Sequence, residues 1–97
     1  MTDREYQRRR KKIEKLPDDT MFYIQSYGYV GNCLNLWGEL GRGYTTDIAK
    51  AGLFTKEEVL RQLSCRRDQD VFWEQGEIEL KSTRMVDMQN LNNKYAY

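Results

Sequence analysis

Six of the chain's seven glycines fall between Gly28 and Gly52. A helix does not run through such a stretch, because each interior glycine costs it about 1 kcal/mol relative to alanine. The segment from Tyr29 to Glu58 is therefore read as strand, tight glycine turn, second short strand and helix start. The rest of the chain is organised around it.

Taken in order, the elements follow. Pro17 closes the N-terminal segment, because its ring clashes with a helix continuing through it. Met21–Tyr27 is rich in aromatic and β-branched residues and reads as a strand. Its Phe22/Ile24 face is expected to be core, with Tyr23 and Tyr27 on the other side. A turn spans Gly28–Asn32. The second strand is Asn32–Trp37, with Leu34 and Leu36 inward and Trp37 on the opposite face. After the cluster Gly38–Gly43, Tyr44–Asp47 reads as a third strand. A helical turn over Ile48–Ala51 then stops at Gly52. Thr55-Lys-Glu-Glu58 is a capping box with Phe54 and Val59 as its staple, so a helix is expected to run from about 55 to 66. Asp68–Gly76 reads as a loop in which Val71, Phe72 and Trp73 plug the core edge. Glu77–Ser82 alternates with period two and reads as a fourth strand.

Charge is unevenly distributed. The chain's net charge is +1, yet residues 1–15 hold seven Lys/Arg against three acids. Arg8, Arg9, Arg10, Lys11 and Lys12 are consecutive. This segment reads as a basic arm or frayed helix whose removal leaves the fold intact, and as a contact for nucleic acid or an acidic partner.

With 97 residues the chain is long enough for one domain. The expected division is an arm at 1–17, a domain at 18–91 and a tail at 92–97. The expected fold is α+β: a small antiparallel sheet of three to four strands packed with one main helix. No apolar run is long enough for a leader or membrane helix. The two cysteines, Cys33 and Cys65, form no framework, and reduced thiols point to a cytoplasm.

The chain has no histidine, which removes the usual nucleophile–imidazole pairs and ordinary zinc sites. Gly41-Arg-Gly43 can cradle a phosphate, but lacks the pattern of a dinucleotide or Walker loop, and a hairpin turn explains it better. Thr45, Thr46 and Asp47 suit strand and cap roles. Asp68 and Asp70 lack the glycine and closing glutamate of a calcium loop. Glu74, Glu77 and Glu79 read as solvated charges. No enzyme activity, metal or cofactor is expected. The candidate binding surface is aromatic and basic: Tyr23, Tyr27, Trp37, Arg42 and Tyr44.

Several of these residues carry a family resemblance: Phe22-Tyr23-Ile24-Gln25, Val30-Gly31-Asn32 with Trp37, Gly41-Arg-Gly-Tyr-Thr-Thr-Asp-Ile48, Ala51-Gly52, Phe54-Thr-Lys-Glu-Glu58, Trp73 and Val86-Asp-Met-Gln89. From Met21 to about Leu91 the chain resembles short accessory proteins encoded in tailed-bacteriophage and prophage genomes. The resemblance implies a phage accessory origin and not a mechanism. Small phage accessory proteins without catalytic residues often act by binding and blocking a host protein, including defence systems, and by that analogy the expectation is a non-enzymatic, anti-defence (anti-CRISPR-like) protein of the host cytoplasm. A homodimer is another way to cover the aromatic face. A nucleotide or anion near Arg42 and Tyr44, or nucleic acid on the basic arm, are the alternative ligands. No membrane partner is expected.

Overall fold

The computed structural model describes all 97 residues except for the side chain of Tyr27. Its frame is β1 (Met21–Val30), which pairs along both edges. Gln25 pairs with Leu36 of β2 (Cys33–Trp37) and with Val71 of β5 (Val71–Glu74). Phe22 likewise pairs with Phe54 of β4 (Phe54–Thr55) and with Glu74 of β5. A strand has only two edges, so β2 and β4 share one and β5 holds the other. The short β3 (Tyr44–Thr45) extends the sheet beyond β2. All pairings are antiparallel, and the fold is α+β with five strands.

β1 is longer than the sequence suggests. Gly28 lies within it at φ 89, where the register slips between Gln25 and Tyr29. A positive φ at a slip is what glycine permits. The hairpin turn is only Gly31-Asn32, between the paired Val30 and Cys33.

The register also corrects the assignment of faces. Residues directly opposite one another share a face. Leu36 therefore lies on the Gln25/Tyr23 side, and Trp37 on the Phe22/Ile24 side. Leu34 and Leu36 do not join the main core, and Trp37 does not face away from it. The expectation treated the two strands' apolar alternations as in phase, and the pairing puts them out of phase by one residue.

The main core comprises Phe22, Ile24, Phe54, Val59, Leu63 and Ile13. The expected helix is α2 (Lys56–Leu63), with the full capping box at Thr55 and Glu58. It ends earlier than expected, and Arg66 turns the chain away at φ 55. The second face of β1 is covered by α3 (Gln75–Lys81). The period-two alternation of Glu77–Ser82 predicts a strand here, and the segment is helical instead. Val71-Phe72-Trp73, expected to be a loop, is instead β5. The β-branched and aromatic residues take the free edge of β1. The Gln/Glu/Lys-rich segment then gains Gln75–Glu79 and Glu77–Lys81 pairs at helical spacing.

The N-terminal segment differs most from its reading as an arm or frayed helix. It is a docked helix, α1 (Asp3–Glu14), capped by Thr2. Ile13 is buried in the core, and Tyr6, Leu16 and Met1 pack against it. Polar tethers hold both ends. Lys56 Nζ donates to the carbonyls of Glu14 (2.8 Å) and Leu16 (2.7 Å), which a helix C-terminus otherwise leaves orphaned. Arg9 donates to the Asp70 carbonyl at 2.7 Å and lies over the Phe72 ring. Arg66 stacks on Tyr6 and pairs with Asp3.

Removing residues 1–15 should therefore unfold or strongly destabilise the domain. Ile13→Ala alone should cost about 2–5 kcal/mol. Denaturant unfolding followed by circular dichroism measures both, and an unshifted midpoint for Ile13→Ala would show α1 to be undocked.

Candidate functional site

β2 and β4 lie on one edge of β1, but residues 38–53 leave that edge between them and return. The excursion is closed by backbone. Gly52 N–H donates to the Trp37 carbonyl (2.9 Å), and Gly38 N–H to the Gly43 carbonyl (2.9 Å). Gly38 also bridges to Ala51. The closure admits no side chain at Gly52, where a Cβ would lie 2.6 Å from the Gly38 carbonyl oxygen.

Inside the loop the short polar residues are occupied by the chain itself. Thr45 Oγ1 accepts from Asp47 N–H (3.0 Å), and Asp47 Oδ1 from Ala49 N–H (2.9 Å). They act as turn residues, which explains Thr45 and Asp47 without a ligand. Residues 38–42 form two overlapping tight turns, Gly41 N–H donating to the Gly38 carbonyl (3.1 Å) and Arg42 N–H to the Glu39 carbonyl (3.0 Å), in which Leu40 takes φ 57 and ψ 23. That left-handed conformation costs a leucine roughly 1–2 kcal/mol. It points Leu40 outward, 83% exposed, near Tyr44 at 58%. Beside them is an open concavity of about 500 Å³, lined by Glu39, Leu40, Arg42, Tyr44, Thr45 and Lys50 among others. A second of about 430 Å³ lies across Glu39 and Leu40, towards Leu53. Glu39 and Leu40 thus border both hollows. Glycine density pointed to this loop, but nothing in the sequence pointed to Leu40, whose outward position is read from its backbone angle and exposure.

The expected binding residues separate. Arg42 and Tyr44 are exposed and line the concavity. Trp37 is half-buried, packed edge-on against Phe54 with ring centroids 6.0 Å apart. Its indole N–H is buried without a partner among the described residues. Tyr23 is only 4% exposed, so neither residue offers a free aromatic face. Tyr27's side chain lies outside the described residues.

The basic run also divides. Arg9 is tied down against Asp70 and Phe72. Arg10 pairs with Glu14 (2.6 Å). Arg8, Lys11 and Lys12 are exposed.

Of the candidate carboxylates, Glu79 accepts from Tyr23 and Gln75, and Glu77 pairs with Lys81. Among the described residues no group of three or more His, Cys, Asp or Glu side chains could hold a metal. Among the described residues no helix is long and apolar enough to cross a membrane. Comparison with protein-family models, curated proteins and solved structures finds no match.

Burial, with the hydrogen bond to Glu79 (3.0 Å), pushes the Tyr23 phenol up to about 12. A raised phenol favours the folded state while protonated. Its contribution is thus complete below the ordinary tyrosine value of about 10 and lost as pH rises through about 12. Titration followed by tyrosinate absorbance should show a late component that Tyr23→Phe removes. A Tyr23→Phe profile that keeps it would contradict the burial.

Proposed function

We propose that this chain is a non-enzymatic accessory protein of a bacteriophage or prophage that binds and blocks a host protein, with residues 38–53 as the docking surface. The phage origin rests on the resemblance over Met21–Leu91, and the anti-defence role on analogy with small phage accessory proteins that lack catalytic residues. The binding surface rests on one observation: a leucine held outward, 83% exposed, on a backbone-locked loop in a conformation that glycine would adopt without strain. Strain of this kind collects at functional sites. A rigid apolar side chain beside an exposed tyrosine is also the composition of an interface hot spot, and fixing it in advance lowers the entropy lost on binding.

A small-ligand site is the second reading. Arg42, Lys50 and Tyr44 line the concavity and suit a nucleotide or other anion. The hollow's openness favours the first reading, because small-molecule sites enclose most of their ligand.

The test begins with capture and identification of the partner from host lysate. Affinity is then measured for Leu40→Gly, Tyr44→Ala and the parent chain. Leu40→Gly should melt no lower than the parent, because it relieves a positive φ. Both variants should bind about 30-fold more weakly, the equivalent of about 2 kcal/mol. Binding by both variants at the parent chain's affinity would contradict the assignment. A copurifying ultraviolet-absorbing molecule lost with Arg42→Ala would favour the second reading.

A further inference from the structure

The docking of α1 gives its cations a fixed geometry. At about 100° per residue, Arg4, Arg8, Lys11, Lys12 and Lys15 fall within an arc of about 100° on the helix surface. The opposite side carries Tyr6, Arg9 and Ile13 into the body of the domain. All five stripe residues are exposed, and none forms an ion pair among the described residues. The helix's acids are largely placed elsewhere. Asp3 pairs with Arg66 and Glu14 with Arg10, which leaves Glu5 at the border of the stripe. Two of the five, Arg4 and Lys15, lie outside the consecutive basic run and emerge only from the helical period.

We infer that this stripe is a binding surface for the phosphate backbone of a double-stranded nucleic acid. From Arg4 to Lys15 it extends about 16 Å at 1.5 Å per residue. A duplex presents one phosphate charge about every 1.7 Å of its axis, both strands counted, so the duplex length that the stripe spans carries more phosphates than the stripe has cations. The stripe carries no aromatic residue on which an unpaired base would stack, so the backbone of a duplex suits it better than a single strand. A membrane surface is disfavoured because an interfacial helix inserts its apolar face, and that face of α1 is already buried in the core. An acidic protein is disfavoured because the stripe lacks the apolar or aromatic centre on which protein interfaces rely. With no group placed to read base edges, binding is independent of sequence.

The test uses the full chain and a fluorescent 20-base-pair duplex in two unrelated sequences, with affinity measured by anisotropy between 50 and 200 mM salt. The two sequences should bind alike. The logarithmic salt slope should be about −4.5 for five phosphate contacts, a loss of roughly 500-fold across that range. Arg8→Ala/Lys11→Ala/Lys12→Ala should bring the slope to about −2. Alanine suits exposed helix positions, so an unchanged circular dichroism melt checks the fold. Arg42→Ala/Lys50→Ala, on the loop, should leave the slope unchanged. The inference is overturned by no duplex binding at 50 mM salt, or by tighter binding of the matching single strand. Binding only to anionic vesicles, or a slope that moves with the loop variant and not with α1, also overturns it.

Discussion

The pairing of β1 along both edges is the constraint on which everything else depends. A strand with partners on both sides presents two faces that each need covering, and this chain covers them with different elements. Phe22 and Ile24 are closed by α1 and α2. Tyr23 is closed by α3 through Glu79. Residues 38–53 exist as a loop because the edge opposite β5 is shared by two short strands, and the chain must leave and rejoin it. Their closure through Gly38 and Gly52 therefore depends on β1 staying in register. With a thin core typical of so short a chain, loss of any one cover exposes a large part of the apolar interior.

Local chemistry made some elements legible in the sequence. The Thr55–Glu58 capping box sets the start of α2, because both of its hydrogen bonds span only three residues. The strand at Met21 and the short strand at Tyr44 follow from β-forming composition and flanking glycines. What was not legible depends on contacts distant in sequence. The faces of Leu36 and Trp37 follow from a register that alternation within one strand does not specify. The exchange of strand and helix between 71 and 81 reflects the free edge of β1, which only the assembled sheet presents. Glu-Ile-Glu-Leu-Lys fits either period, and the edge was already filled by Val71–Glu74.

The N-terminal segment shows the same limit. Five consecutive cations read as self-repelling and loose. In the fold, Arg9 is drawn in by a carbonyl and a ring, Arg10 is neutralised by Glu14, and the rest are spread along one face. Lys56, unremarkable as the first residue of α2, closes the C-terminal end of α1. The candidate loop was partly legible too: its glycines marked it, whereas Leu40's left-handed backbone, the burial of Tyr23 and the half-buried position of Trp37 required the assembled structure.

Both proposed surfaces rest on rigid supports, the closed loop and the docked helix, and the second is the larger departure from a simple reading of the chain. Native-state amide hydrogen exchange on the full chain tests it most directly. If α1 belongs to the cooperative core, the amides around Arg9 to Ile13 exchange with opening energies close to those of β1 and α2. Exchange of those amides at nearly the rate of an unprotected peptide, while β1 stays protected, would show a loose arm and would contradict the account.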